Sequence, residues 1–162
     1  MIDIIGSGGH AGAISGVLDA LHLPWRMVEE PAGLVVIGVG DIDVRRSLFD
    51  RYDAWFPIID PTAIVRGDIG KAVQIMAGAV IQPNALIGDN TLVNTGARID
   101  HDCIVGQHCH IAPGAVLCGG VRIGDGSFIG AGSIIVQGVK IPPGSFVPAG
   151  ALVAGDGDVR KR

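Results

Sequence analysis

From Ile69 to Val153 every sixth residue is Ile, Val or Leu, fifteen positions in one unbroken phase that runs through Ile75, Ile87, Ile99, Ile111, Ile123, Ile135 and Val147. A period of six is neither the helical period of about 3.6 residues nor the simple alternation of a flat strand. It is the period of a parallel β-helix. Three residues after the aliphatic position stands Gly or Asn in eleven of the fifteen repeats, among them Gly78, Asn84, Asn90, Gly96 and Gly114. These residues tolerate positive φ, which a sharp corner demands. The next position is small or β-branched, as in Ala79, Ala85, Thr91, Ala97, Ser127 and Ser133. Each hexad therefore predicts a short strand and a corner. Three hexads make a triangular coil of 18 residues, and the fifteen make about five coils. At a strand spacing of ~4.8 Å the stack is roughly 24 Å tall. The aliphatic column is the dry interior, and backbone bonds run from coil to coil.

Ahead of the repeats the pattern changes. Met1 to Ile5 is a short apolar strand, followed by Gly6-Ser7-Gly8-Gly9-His10-Ala11-Gly12 and an amphipathic helix from about Ala11 to Leu21. Gly6-x-Gly8-x-x-Ala11 fits the dinucleotide fingerprint, in which the helix N-terminus faces a phosphate. Glu29 or Glu30, about 20 residues on, suits a ribose hydroxyl. A tight strand–helix turn without a ligand is the plain alternative. Trp25 to Glu30 and Leu34 to Val39 predict two more strands, and Asp41 or Asp43 caps a helix that ends near Tyr52. This β-α-β-β-α unit is half a dinucleotide fold and suits a mononucleotide better than a dinucleotide. The expected organisation is a small Rossmann-like α/β domain over residues 1–57 and a β-helix over residues 58–162. Trp55-Phe56-Pro57 is expected to pack the two together, and His22 to lie on the surface.

Composition narrows the class. The formal charge of −4 with three lysines carries no nucleic-acid signature. Mean hydropathy is high at +0.47, yet no run of 18 apolar residues occurs, so no membrane span is expected. With no signal peptide read at the N-terminus, Cys103, Cys109 and Cys118 are expected to be reduced thiols in a cytoplasmic protein. Cys103 and Cys109 take the small position of their hexads, which assigns them to packing.

The candidate chemistry sits in one coil. Asn94-Thr95-Gly96-Ala97-Arg98-Ile99-Asp100-His101-Asp102-Cys103 is followed by His108 and His110, so three of the five histidines fall within ten residues. Asp102 and His108 occupy the corner column, where Asp and His are tolerated at positive φ. Both are open to a plain corner reading. His101 lies in a polar, outward or edge-facing column, and His110 shares the column of Arg98, Arg122 and Lys140 and should point out of the prism. An exposed histidine is a natural general base near neutral pH. Asp102 could hold its tautomer. Adjacent strand residues point apart, so the carboxylate would reach it through the corner, a water or a neighbouring subunit.

With these residues in place the chain resembles the bacterial sugar acetyltransferases of the left-handed β-helix superfamily. It is most similar to the group of bacillosamine-type and perosamine N-acetyltransferases and sialic acid O-acetyltransferase-like proteins. The matching pieces are Ile4-Ile5-Gly6-Ser7-Gly8-Gly9-His10-Ala11, Val36-Ile37-Gly38, Asp60-Pro61-Thr62-Ala63, Asn94-Thr95-Gly96-Ala97, His101-Asp102-Cys103, His110-Ile111-Ala112-Pro113-Gly114-Ala115 and Phe128-Ile129-Gly130-Ala131-Gly132. The resemblance implies a homotrimer with active sites between neighbouring prisms and acetyl-CoA as cosubstrate. It implies His101 as the base and Asp102 as its acidic neighbour, with Asn94 close to the sugar. His110, with backbone around Gly119 and Ala131, would contact acetyl-CoA. Gly6, Ser7, Gly8, Gly9 and His10, with Glu29 and Glu30, would bind the nucleotide-linked sugar. Transfer would be direct, without an acetylated residue or a metal. Two departures from the family pattern stand out. The segment between Glu30 and Leu34 is short, which would alter the nucleotide or sugar pocket. After Val153 the usual Gly-Val-Pro-Ala segment is missing; the basic end Arg160-Lys161-Arg162 would supply a phosphate contact instead, and a frayed, solvated end is the plain alternative.

Rival readings come from other classes. His101, His108 and His110 invite a γ-type carbonic anhydrase, with zinc held across an interface. Their different columns and the Gly-rich loop speak against it. A non-catalytic β-helix scaffold would leave the His-Asp pair and Asn94 unexplained.

Overall fold

The protein is described by a computed structural model, which covers residues 1–155 and the backbone of residues 160–161. Strand β1 (Ile2–Ile5) runs in the middle of a three-stranded parallel sheet, flanked by β2 (Trp25–Val28) and β3 (Leu34–Ile37). Helix α1 (Gly9–Ala20) connects β1 to β2 and buries Ala11, Ile14, Val17 and Leu18 on one stripe. It stops in a Schellman turn: His22, at φ 55°, donates its N–H to Asp19 and Leu23 donates to Leu18. Helix α2 (Ile42–Tyr52) starts at Asp41, whose side chain accepts the N–H groups of Asp43 and Val44, each at 3.0 Å.

The remainder is a triangular parallel solenoid. Its strands are mostly two residues long and stack into three sheets of seven, six and five strands among the described residues. The first face carries Ile75, Val93, Ile111, Ile129 and Val147, each pairing with its counterpart one coil away. The second face carries Ile81, Ile99, Leu117, Ile135 and Val153, and the third Ile69, Ile87, Val105, Ile123 and Ile141. These aliphatics form one continuous core with Ala79, Ala85, Ala97, Cys103, Cys109 and Ala115.

All fourteen corners from Ala72 to Gly150 at six-residue spacing have φ between 51° and 73°. Asp102 and His108 adopt the same left-handed conformation as the glycines around them. Two rungs precede the regular phase, Ile58–Ile59 and Ile64–Val65, and they pair sixteen rather than eighteen residues ahead, with Ile75 and Ile81. The loss falls at the corner between Val65 and Asp68. Gly67 sits there because a Cβ would collide with the Ala85 carbonyl of the next coil.

The α/β unit lies against the first face. Ile58, Met76 and Leu92 from that face form a core cluster with Ile2, Ile4, Ile14 and Leu18, and Phe56 packs onto it. Trp55 departs from the packing role read for it: its side chain is exposed, edge-on to Phe56 at 5.9 Å. Helix α2 runs along the corner between the third and first faces, where Phe49 meets His108 edge-on at 5.5 Å. Asp3 lies under this unit with no exposed surface. It accepts Arg26 at 2.6 Å and the N–H groups of Ala32 and Gly33 at 2.8 Å. No helix among the described residues is long and apolar enough to cross a membrane.

Candidate active site

The corner between the second and third faces holds His101 and Asp102. They lie in a turn rather than a strand, and the left-handed backbone of Asp102 swings its carboxylate back toward its neighbour. His101 Nδ1 stands 2.7 Å from Asp102 Oδ2. This settles how two adjacent residues meet: directly, through the corner. Asn84, one coil away, donates to the other Asp102 oxygen at 3.1 Å, and the His101 N–H donates to Asp100 Oδ1 at 2.8 Å. Since a carboxylate only accepts, Nδ1 carries the proton and Nε2 is left with its lone pair. The imidazole lies over Gly119, where a Cβ would come within 2.8 Å of the ring. The Asp102 hydrogen bond, followed by the charge of Asp100, raises the His101 pKa above its ordinary value, and the same contact lowers that of Asp102. Both side chains are more than half exposed. A trough of about 260 Å³ along the second face runs up to this corner, lined by Val80, Gln82, Arg98, Asp100, Val116 and Cys118.

A second group forms at the corner between the first and second faces. Asn94 Oδ1 accepts the Thr95 N–H at 2.8 Å, which turns its amide nitrogen toward His110 Nε2 at 3.2 Å. The Gly40 backbone lies beside the His110 ring. His110 does point out of the prism, but the α/β unit covers the first face, so the ring is half-buried and packs edge-on against Phe128 at 5.1 Å. Burial, reinforced by the nearby His10 and Arg45, pushes its pKa down to about 4. His10 opens α1 and bonds Gln74 through Nε2 at 2.8 Å. Burial lowers its pKa as well. Ala131 lies two coils further along this same corner, exposed, and Gly119 lies on the other corner under His101.

Beneath these residues lies a network that the sequence did not announce. Arg45 is 2% exposed and has no carboxylate partner among the described residues. Its guanidinium donates to Ile37 and Val39 carbonyls at 3.2 Å, to Gln74 Oε1 at 2.7 Å and to Asn90 Oδ1 at 2.9 Å. Burial pushes its pKa down to about 9. The signal was present in α2, whose inward stripe of Ile42, Leu48 and Phe49 includes an arginine at position 45.

At the C-terminal ends of β1 and β2 a cleft of about 420 Å³ is lined by Gly6, Ser7, Met27, Val28 and Glu29. Gly8 caps α1 without a side-chain bond, and the first turn beginning at Gly9 has no acidic residue. Glu30 faces elsewhere, bonded to Arg51 and Tyr52 at 3.0 Å each. A further cleft of about 500 Å³ between Arg46 and Gly126 holds none of the candidate residues. Cys103 and Cys109 are buried, and burial pushes the Cys109 thiol up to about 11. Among the described residues no three His, Cys, Asp or Glu side chains converge on a metal position. His101, His108 and His110 sit on two different corners and a face. The side chains of Arg160, Lys161 and Arg162 lie outside the described residues.

Residues 68–101, 84–119 and 102–137 match the family described as bacterial transferase hexapeptide (six repeats). A comparison with curated protein sequences finds no match. Among solved structures, PerB from Caulobacter crescentus, in complex with CoA and GDP-perosamine, superimposes with a TM-score of 0.90 at 32% identity, over 96% of this chain and 89% of that one. The chain belongs to the left-handed β-helix sugar acetyltransferases. The acetyltransferase domain of PglB from Neisseria gonorrhoeae gives a TM-score of 0.91 at 28% identity, over 96% of this chain and 91% of that one. WeeI from Acinetobacter baumannii shares the fold, with a TM-score of 0.71 at 20% identity over 99% of this chain and 98% of that one. As a hexapeptide-repeat acyltransferase, the protein is left-handed in its coil and lacks any inserted loop between Ile69 and Val153.

Proposed function

We propose that this acetyltransferase N-acetylates the amino group of a nucleotide-linked sugar, with acetyl-CoA as cosubstrate and His101 as general base. The observation that carries this reading is the 2.7 Å contact between His101 Nδ1 and Asp102, which leaves Nε2 as a proton acceptor at an open corner. The sugar amine attacks the thioester carbonyl, a C–N bond forms and the proton passes to Nε2. The tetrahedral oxyanion collapses, the C–S bond breaks, and His101 returns the proton to the CoA thiolate. A backbone N–H suits the oxyanion. No covalent acyl-enzyme is needed, since the amine attacks the thioester directly, and burial holds Cys103 and Cys109 as thiols.

The narrow apolar trough beside Asp100 and Cys118 fits the pantetheine arm of acetyl-CoA. Gly119 leaves the base room above the backbone. The cleft at Gly6, Ser7 and Glu29 suits a nucleotide, with phosphate against the uncapped start of α1 at Gly8 and Gly9 and a ribose hydroxyl on Glu29. That cleft favours a nucleotide-linked acceptor over free sialic acid. His101 with Gly119, and Asn94 with His10, His110 and Ala131, occupy different corners of one prism. They make one complete site when prisms associate side by side, so the reading includes a homotrimer.

The test is CoA-thiol release from acetyl-CoA against UDP-, GDP- and dTDP-linked 4-amino sugars and sialic acid, with His101→Ala alongside. Turnover of one amino sugar, lost in the variant, supports the reading. Turnover of sialic acid alone moves the transfer to oxygen, and absence of acetyl-CoA binding removes the enzyme assignment.

A further inference from the structure

Arg45 imposes a direction on the side-chain hydrogen bonds of the junction. A guanidinium only donates. The oxygens of Gln74 and Asn90 must therefore face it, at 2.7 and 2.9 Å. The Gln74 amide nitrogen is turned away and donates to the Ile37 carbonyl at 2.7 Å. His10 Nε2 meets the same Gln74 oxygen at 2.8 Å. That oxygen can only accept, so Nε2 holds the proton of the neutral ring and Nδ1 keeps the lone pair. Among the described residues Nδ1 has no hydrogen-bond partner. Among those residues Arg45 Nε is the sole buried side-chain nitrogen or oxygen without one, so Nδ1 opens to solvent. The His10 ring borders Gly40, which also receives His110. The second arm obeys the same rule: with its oxygen on Arg45, Asn90 donates its amide to His108 Nδ1 at 3.0 Å.

We propose that Arg45 is a positioning residue: through Gln74 it fixes His10 in the Nε2–H form, so that Nδ1 accepts a hydrogen bond from a hydroxyl or amino group of the sugar nucleotide. This rests on the acetyltransferase reading above. A buried charge without a counter-ion is a poor clamp, because well-packed apolar residues hold buried surfaces at least as well. What an apolar residue cannot do is orient two amides at once.

The experiment is nitrogen NMR of protein labelled at its histidine rings, with His10 assigned by its loss in His10→Gln. In the parent protein His10 shows a protonated Nε2 and an unprotonated Nδ1. In Arg45→Met the Gln74 amide keeps only the Ile37 carbonyl as a directing partner and loses the donor that faced its oxygen, and the two tautomers mix. KM for the sugar nucleotide rises about tenfold, the effect of one hydrogen bond, with a smaller change in kcat and none in KM for acetyl-CoA. Gln74→Leu gives the same pattern. A protonated Nδ1 in the parent overturns the proposal. So does an Arg45→Met protein, or a Gln74→Leu protein, with parental His10 signals and parental sugar KM. If Arg45→Met does not fold, the parent spectrum and Gln74→Leu decide. The ring-nitrogen readout needs no substrate, so it stands or falls separately from the acetyltransferase assignment.

Discussion

Replacing Asp102 by asparagine separates the two things a carboxylate does for His101. The first is charge. The Asp102 contact is the largest cause of the raised His101 pKa, with Asp100 second. A base must be neutral to take a proton, so the rate rises with pH through the His101 pKa, and in the parent enzyme that limb lies above 6.5. In Asp102→Asn the limb moves down toward 6.5, held slightly above it by Asp100. At acidic pH the variant thus loses less than it does on the plateau. The second is direction. Asp102 only accepts, so it fixes Nδ1–H and leaves Nε2 basic. Asparagine can turn its NH₂ toward Nδ1, which places the lone pair on the wrong nitrogen. Asn84, the other neighbour at 3.1 Å, is itself an amide and cannot impose a direction. The plateau rate should fall by about 10²-fold, inside the roughly 10²–10⁴-fold span of a general base, while His101→Ala loses the whole of it. The assay is kcat/KM against pH by CoA release. An unchanged limb in Asp102→Asn, or a plateau equal to the parent's, would refute the reasoning. High salt should lower the parent limb, because the Asp100 contribution crosses an exposed surface.

Other outcomes follow from the fold. Gly114→Ala places a Cβ in open space at φ 67°, so it loses only the left-handed penalty of about 1–2 kcal/mol, roughly 2–8 °C in Tm. Gly106→Ala drives a Cβ into Asp125 of the next coil and should cost clearly more; equal losses in thermal melts would contradict the corner argument. The Asp3 carboxylate is held well below the usual range, chiefly by Arg26 and then by Ala32 N–H. Its contribution is therefore full above pH 3.8 and lost as pH falls further, so the stability deficit of Asp3→Asn in urea melts should shrink below that pH. In native protein a thiol reagent should modify half-buried Cys118 and spare Cys103 and Cys109, with all three reacting after unfolding.

The prism was legible because its period records one coordinate, distance from the coil axis. The run from Ile69 to Val153 and the corner residues fix which side chains face in and where the chain bends. The same period is silent about what covers each outer face. His110 reads as outward, and it is, yet the α/β unit half-buries it. Gln74 occupies a hexad position as polar as others and turns out to be buried between β3 and the first face. Asp41 announced α2 through ordinary capping, whereas Arg45 was hidden by its charge. The two early rungs fall within the β-helix expected over residues 58–162 but outside its unbroken period, because the corner at Gly67 is two residues short, which breaks the phase. His101 and Asp102 were found as neighbours, but their direct contact depends on a backbone angle that composition does not specify.

The regular coil also sets a rule for how such a protein can change. Every parallel pairing between coils from Ile69 onward steps by eighteen residues. A lineage that gains or loses eighteen keeps each ladder in phase and raises or lowers the base relative to the α/β unit by one storey, ~4.8 Å. A change of six or twelve residues within the regular coils rotates His101 to a different corner. The distance between the cleft at Gly6 and Glu29 and the corner at His101 thus changes in whole storeys when whole coils are added or removed. A substrate with a longer or shorter link between nucleotide and reacting amine must be met by that step or by movement in the loops of the α/β unit.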